Sequence, residues 1–383
     1  MTRRGLGMAS ALAAAWLCAL SVGGTLYYFI AALLSAVMAY ALVSCLLARL
    51  SLGCRQWLGA RAVVRGETAE LNLTLWQRCP LPVAPVTVRY LSGGQMNEYA
   101  APLPPFHDDQ RRLTLAARHV GCTEAGIKQL IVTDLFGLFE MKKKAPPLRE
   151  ALLVLPKPFH IDKPTLNLGD EGSAALSRTQ EDYNAPEDTR AYRPGDAMKR
   201  IHWKLSSRRR ELVVRRFETP APPDTLILLD CAAPCGGEGL PEGKERLRDA
   251  LCETAVAVAR LQTDDGSPVR LPIYGKGANE FSSDNAAAFS LLQEMLASQA
   301  FDEDEDFSRV LNVELRRMRR TGATIVITTR LNAPIVEAVG HIRRMGPSVR
   351  LYLVTFRPDD PSYQPFVASL QHHLVEVCYV TPA

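Results

Sequence analysis

The sequence predicts a membrane-anchored, multi-domain protein: an N-terminal two-helix transmembrane hairpin, a small immunoglobulin-like β-sandwich and a C-terminal α/β domain. Three observations predict it. No charged residue occurs from Gly5 to Ala48. From about Arg61 to Lys144 apolar residues recur with period two. From Thr225 onward, continuous apolar runs alternate with helical stripes, the pattern of a mostly parallel sheet covered by helices.

The first run is long enough for two crossings of about 20 residues each. It breaks at Gly23-Gly24-Thr25, giving helices over about 5–22 and 26–48 and a hairpin domain over 1–50. A cleaved signal peptide is the competing reading of the first helix, because Arg3 and Arg4 precede an alanine-rich stretch. Charge bias opposes it. Arg3 and Arg4 lie before the first helix, Arg49, Arg55, Arg61 and Arg65 follow the second, and no acid appears before Glu67. The positive-inside rule then puts both ends, and the body that follows, in the cytoplasm of a cell whose inner membrane carries a multi-pass anchor.

The β-sandwich is expected over 61–144. Leu71, Leu73 and Leu75 alternate with Asn72, Thr74 and Trp76, and further short alternating runs surround Val86, Leu113 and Leu130. Turn signals separate them at Ser92-Gly93-Gly94, Pro102–Pro105 and Gly126. A connector over 145–218 follows, rich in proline at 146, 147, 156 and 158, with an exposed loop expected over Gly169–Asp188.

The α/β domain is expected over 219–383. Strands are predicted at Leu226–Leu229, Val269–Tyr274, Thr324–Thr328, Val349–Thr355 and Leu374–Val380, and helices at Glu242–Leu261, Ala286–Ala297, Phe307–Arg320 and Pro334–Arg344. The helical stripes are explicit: Leu247, Leu251, Ala255, Val258 and Leu261 share one face of the first.

Composition limits the chemistry. With 45 basic and 41 acidic residues the net charge is +4, so a binding surface for anions must come from local clustering. Nine cysteines without a C-x-x-C pair, and seven histidines without metal-ligand spacing, argue for reduced, mostly buried thiols rather than disulfides or zinc. No phosphate-binding G-x-x-x-x-G-K-[ST], no G-x-S-x-G and no H-E-x-x-H occurs. The acidic run Asp302–Asp306 lacks the alternating ligands and glycine of a calcium loop and reads as a solvated loop before a helix.

The densest local feature is Arg190–Glu218. Arg193-Pro194-Gly195-Asp196 reads as a turn whose aspartate caps a helix bearing Met198, Ile201 and Leu205 on one face. Eight Lys and Arg lie between Lys199 and Arg216. Three roles fit them: ion pairs at a domain junction, docking on a protein partner, or binding of phosphate on anionic lipid or nucleic acid. Nucleic acid is the least favoured partner, because Trp203 is the one stacking aromatic inside the basic stretch. His202 reads as a structural histidine rather than a base.

This segment closely resembles the hallmark of the bacterial domain-of-unknown-function family numbered 58, R-E-Y-R-x-G-D…I-H-W-K…R-x-x-x-L…E. Arg190, Tyr192, Arg193, Gly195, Asp196, Ile201, His202, Trp203, Lys204, Arg208, Leu212 and Glu218 match; Ala191 stands where the family has an acid. Thr133-Asp134-Leu135-Phe136-Gly137-Leu138-Phe139 is similar to the family's D-P-F-G-L-F, with Leu135 in place of proline. The resemblance implies a membrane-tethered protein whose last domain is von Willebrand factor A-like (Rossmann-like). It also implies a non-enzymatic scaffold or adaptor working with a MoxR-type AAA ATPase in assembly or chaperone-like processes, sometimes beside a transglutaminase-like membrane protein. No cofactor is implied. The A-type metal motif D-x-S-x-S is reduced here to Asp230 in Asp230-Cys231-Ala232-Ala233-Pro234, so no metal is expected and Asp230 is read as a capping or junction residue.

Overall fold

The computed structural model describes residues 2–148, 151–161, 186–194, 198–217, 224–234, 241–274, 279–283, 288–301, 306–318 and 321–382. The chain divides into two compact units, Met1–Lys157 with Gln293–Gln299, and Pro158–Leu292 with Ala300–Ala383.

The first unit opens with two apolar helices, α1 (Arg3–Val22) and α2 (Thr25–Ser51), both long and apolar enough to cross a membrane. Thr2 starts α1 by accepting a hydrogen bond from the Gly5 amide at 3.1 Å. The reversal needs left-handed backbone at Gly23 (φ 69°) and Gly24 (φ 110°), which glycine adopts without a Cβ clash. Both helices run slightly past the expected 5–22 and 26–48, because Arg3, Arg4 and Arg49 are good helix formers beside the apolar run. Leu6, Leu17, Leu20, Val22, Leu26 and Phe29 are all more than 60% exposed, apolar exposure of the kind found where a surface meets a membrane or a protein partner.

Ten strands follow: β1 (Gly53–Leu58), β2 (Ala62–Val64), β3 (Thr68–Trp76), β4 (Val86–Ser92), β5 (Gln95–Ala101), β6 (Asp108–Ala116), β7 (Gly121–Thr123), β8 (Gly126–Thr133), β9 (Glu140–Lys144) and β10 (Leu152–Leu155). They form antiparallel sheets β1-β3-β6 and β5-β4-β8-β9, with β2-β10-β7 as a small third sheet. Leu71, Leu73, Leu75 and Leu115 from one sheet share a core with Val86, Val88, Leu130 and Val132 from the other. The period-two reading is thus realised as two sheets packed face to face. The layer is wider than the expected 61–144: β1 begins at Gly53, and β10 returns from the proline-rich connector to pair with β2 and β7.

The same core takes in the end of α2, since Cys45, Ala48 and Leu52 belong to it. The Lys143 ammonium donates to the Arg49 and Leu52 carbonyls, satisfying acceptors at the helix C-terminus that lack intrahelical donors.

The remaining elements are β11 (Pro186–Ala191), α3 (Trp203–Arg209), β12 (Val213–Phe217), β13 (Asp224–Leu229), α4 (Pro241–Asp264), β14 (Val269–Ile273), β15 (Asn279–Ser283), α5 (Phe289–Ser298), α6 (Phe307–Arg317), β16 (Thr321–Thr328), α7 (Ala333–Arg344), β17 (Ser348–Val354), α8 (Gln364–His372) and β18 (Glu376–Val380). Six strands form one sheet in the order β15-β14-β13-β16-β17-β18, parallel except for the edge strand β15. Leu226, Leu228, Val326, Leu351 and Leu353 share a core with α6, α7 and α8. Ile227, Ile325 and Ile327 alternate with them and face the other side. The α/β alternation is as expected, and β15 and α8 are additions to it.

Candidate functional site

β11 and β12 are paired antiparallel, with Arg190 opposite Val214 and Ala191 opposite Val213. Described residues on both sides of 195–197 bond back to the ribbon. Tyr192 N donates to Leu212 O at 2.8 Å and His202 N donates to Val213 O at 2.8 Å. The structure corrects one local expectation: Met198, Ile201 and Leu205 do not share a helix face. Met198–Arg200 is a short 3₁₀ turn, Ile201 bridges to Val214, and α3 begins only at Trp203. His202 is the reason. Its Nδ1 accepts from the Leu205 amide at 3.2 Å, so the imidazole caps the helix that Asp196 was expected to cap.

Ser206 fixes the helix to the ribbon. It is buried, and its hydroxyl accepts from the Val213 amide at 2.9 Å. Arg210 ends α3 in the left-handed region at φ 55°. What remains outward is an apolar trio, Met198 (72% exposed), Trp203 (62%) and Leu212 (46%). Lys199, Lys204, Arg208, Arg209 and Arg210, on the same segment, are exposed as well, and none forms an ion pair with a carboxylate among the described residues. Arg190 and Arg193 are also exposed. Gly195, Asp196 and Glu218, all matched to the hallmark, lie outside the described residues, as do 302–305 of the acidic run and 169–185 of the expected loop. The last three residues of that loop, 186–188, instead belong to β11, held by pairing with β12. Asp306, the last of that run, caps α6 by accepting from Ser308 N at 3.1 Å.

The second place of interest is the carboxyl end of β13, where the sheet order reverses and open α/β sheets usually bind ligands. Asp230 sits there, 1% exposed. Its carboxylate accepts from Thr328 Oγ1 at 2.7 Å, Arg330 Nε and Nη2 at 3.3 Å each, and the Ala232 amide at 3.2 Å. A divalent cation needs a shell of oxygen donors. Here Cys231 and Ala232 stand next in line, and a guanidinium already covers both carboxylate oxygens. The donor set does not fit a metal. Asp230 is a junction residue that ties the end of β13 to the end of β16.

Residues 188–351 match the family model described as "Protein of unknown function DUF58". The chain carries a DUF58 domain. The match starts in the β11–β12 ribbon and runs to β17, so it covers both the tryptophan surface and the Asp230 junction. No curated protein matches the chain. Among solved structures, the CARDB domain of a Pyrococcus furiosus protein, in complex with di-metal ions, aligns at 13% identity and TM-score 0.21, over 27% of this chain and 86% of that one. The Pseudomonas fluorescens alkylpurine DNA glycosylase AlkC, bound to DNA with an abasic-site analogue, aligns at 18% identity and TM-score 0.15, over 35% and 42%. Likeness at those scores carries no argument about fold or activity.

Within the DUF58 domain the structure brings His202, Trp203, Lys204 and Arg208 onto one short capped helix, with Tyr192 tied by its amide to Leu212 beside them. Asp230 stands apart from them on the sheet. Sequence reasoning missed Ser206 as the pin of α3, and Thr328 and Arg330 as partners of Asp230. The signal for the latter pair was their place at the end of β16, the neighbour of β13 across the switch point.

Proposed function

We propose that this protein is a membrane-tethered, non-enzymatic scaffold or adaptor whose DUF58 domain docks a protein partner. One observation carries the reading: Trp203 is 62% exposed on a helix whose capping and pinning depend on His202 and Ser206 instead, and Met198 and Leu212, which flank that helix in sequence, are exposed too. A large aromatic held outward by a helix that does not need it is the usual centre of an interface, and a basic rim suits an acidic partner. The resemblance makes a MoxR-type AAA ATPase the first candidate and a transglutaminase-like membrane protein the second.

Finer readings accompany it. The α1–α2 hairpin anchors the chain in the inner membrane with both ends cytoplasmic, an orientation that rests on the arginine bias. The two-sheet layer is immunoglobulin-like. The last domain is von Willebrand factor A-like, supported by the strand order, the antiparallel edge strand and an aspartate after the first strand of its sheet. In this domain Arg330 supplies the positive charge that a cation supplies elsewhere.

The experiment is co-purification of the detergent-solubilised protein from its native host. An AAA ATPase is expected with the wild type and not with Trp203→Ala at unchanged thermal stability. Recovery of the wild type with no ATPase at all counts against the reading. The exposed cations favour a second reading, binding of anionic lipid or nucleic acid. It predicts affinity for such polyanions falling steeply with salt; a flat salt response removes it.

A further inference from the structure

We propose that the turn joining β8 to β9 is a third membrane contact, in which Leu135 and Phe136 enter the lipid interface beside the hairpin. The proposal rests on the reading of α1 and α2 as membrane-spanning.

Depth follows from helix length. The 27 residues of α2 reach about 40 Å, against a hydrocarbon core of about 30 Å. The surplus lies at its C-terminal end, where Cys45, Ala48 and Leu52 are buried in the core of the sheet layer. Tyr40 comes five residues before Cys45, about 7 Å further along the axis and within the apolar span. The ring of Phe136 packs edge-on against Tyr40, with centroids 6.4 Å apart at 70°. The strand hairpin therefore reaches down the helix to the level of lipid. Its tip also meets the start of α1: Thr2 N donates to Leu138 O at 3.0 Å, and Thr2 Oγ1 to Gly137 O at 2.6 Å.

The turn is built to hold its apolar side chains outward. Buried Asp134 accepts from the amides of Phe136 at 2.9 Å and Phe139 at 2.5 Å, and Gly137 supplies a left-handed residue at φ 68°. Leu138 turns inward, whereas Leu135 is 52% and Phe136 47% exposed. Exposed Arg4 lies beside the tip, its Nη1 3.8 Å from where a Cβ on Gly137 would stand, and exposed Arg3 precedes it in sequence. Cations beside an apolar wedge match the phosphate and acyl layers of an anionic bilayer. The Phe136–Tyr40 contact joins this wedge to the apolar surface of α2.

The test uses the full chain in phosphatidylcholine–phosphatidylglycerol vesicles containing a phospholipid with a diazirine on its acyl chain. After irradiation, lipid adducts are mapped by mass spectrometry. Adducts are expected on α1, on α2 and on Leu135 or Phe136 within the tryptic peptide Gln129–Lys142. Leu135→Ser with Phe136→Ser should lose the turn adducts and keep those on the helices. Helix adducts with an unlabelled turn in the wild type overturn the proposal alone. Absence of adducts on the helices overturns the spanning reading, and the proposal with it.

Discussion

Arg330 lays its guanidinium across both carboxylate oxygens of Asp230, Nε to Oδ2 and Nη2 to Oδ1, each at 3.3 Å. With Asp230 almost wholly buried, the pair is costly to break from one side. Arg330→Met is expected to lose about 3–5 kcal/mol in denaturant unfolding, because a buried charge is left with Thr328 and one amide. Adding Asp230→Asn to it should recover part of that loss, and a double variant no better than the single one counts against the pair. Since the guanidinium occupies the carboxylate, millimolar Mg²⁺ should leave the wild-type melting temperature unmoved.

Trp203→Ala should change stability by no more than about 0.5 kcal/mol, as expected for an exposed side chain away from structural features. Ser206→Ala should cost about 1–3 kcal/mol, because the buried Val213 amide loses its acceptor. Thermal melts of the two variants separate surface from scaffold. Equal losses would place Trp203 in the packing and weaken the docking reading.

Asp134→Ala removes the acceptor for two amides of the β8–β9 turn. Destabilisation of about 1–3 kcal/mol is expected, together with faster hydrogen exchange at Phe136 and Phe139. Protection at those amides that matches the wild type would show that the strands alone hold the turn.

Burial pushes the Cys54 thiol up to about 11 and the Tyr99 phenol, also beside Asp109, up to about 12. Tyr274 rises to about 12 through burial and its hydrogen bond to Glu314. Each group keeps its proton in the folded state after the unfolded chain has released it. Their contribution to stability is therefore complete below the unfolded values, about 8.5 for cysteine and 10 for tyrosine, and is lost as pH rises towards the folded ones. Melting temperatures should fall from about pH 9 to 12. The buried Tyr99 hydroxyl has no hydrogen-bond partner among the described residues, so Tyr99→Phe should be neutral or stabilising at pH 7 and soften the alkaline fall. A loss of more than about 1 kcal/mol at pH 7 would reveal a partner for that hydroxyl.

Much of the architecture was legible because it rests on periodicity. The charge-free run gave the hairpin, and Leu71, Leu73 and Leu75 marked the core face of β3 as surely as Leu247, Leu251 and Val258 marked the stripe of α4. Elements with little apolar signal escaped. β15 buries only Phe281, since an edge strand covered on few sides needs few apolar residues. β1, Gly53–Leu58, has no clear alternation and is held by pairing with β3. In the motif segment the residue types were readable and their division of labour was not. His202 and Ser206 look inward and Trp203 outward, although the three lie within five positions of one another.

From residue types and spacing came the two apolar helices and the two sheet-forming regions; the resemblance of Arg190–Glu218 to a family hallmark added the comparison that leaves Asp230 without metal-ligating hydroxyls after it. Such properties are local, fixed by hydropathy and side-chain chemistry within a few residues. Folding settled the relationships that span long stretches of chain: Arg330 on Asp230 a hundred positions away, and the β8–β9 turn against Thr2 and Tyr40. Those depend on strand order and on which face a turn presents. The hairpin remains the clearest feature of the sequence, and the fold gives it a partner in the sheet layer packed against its end.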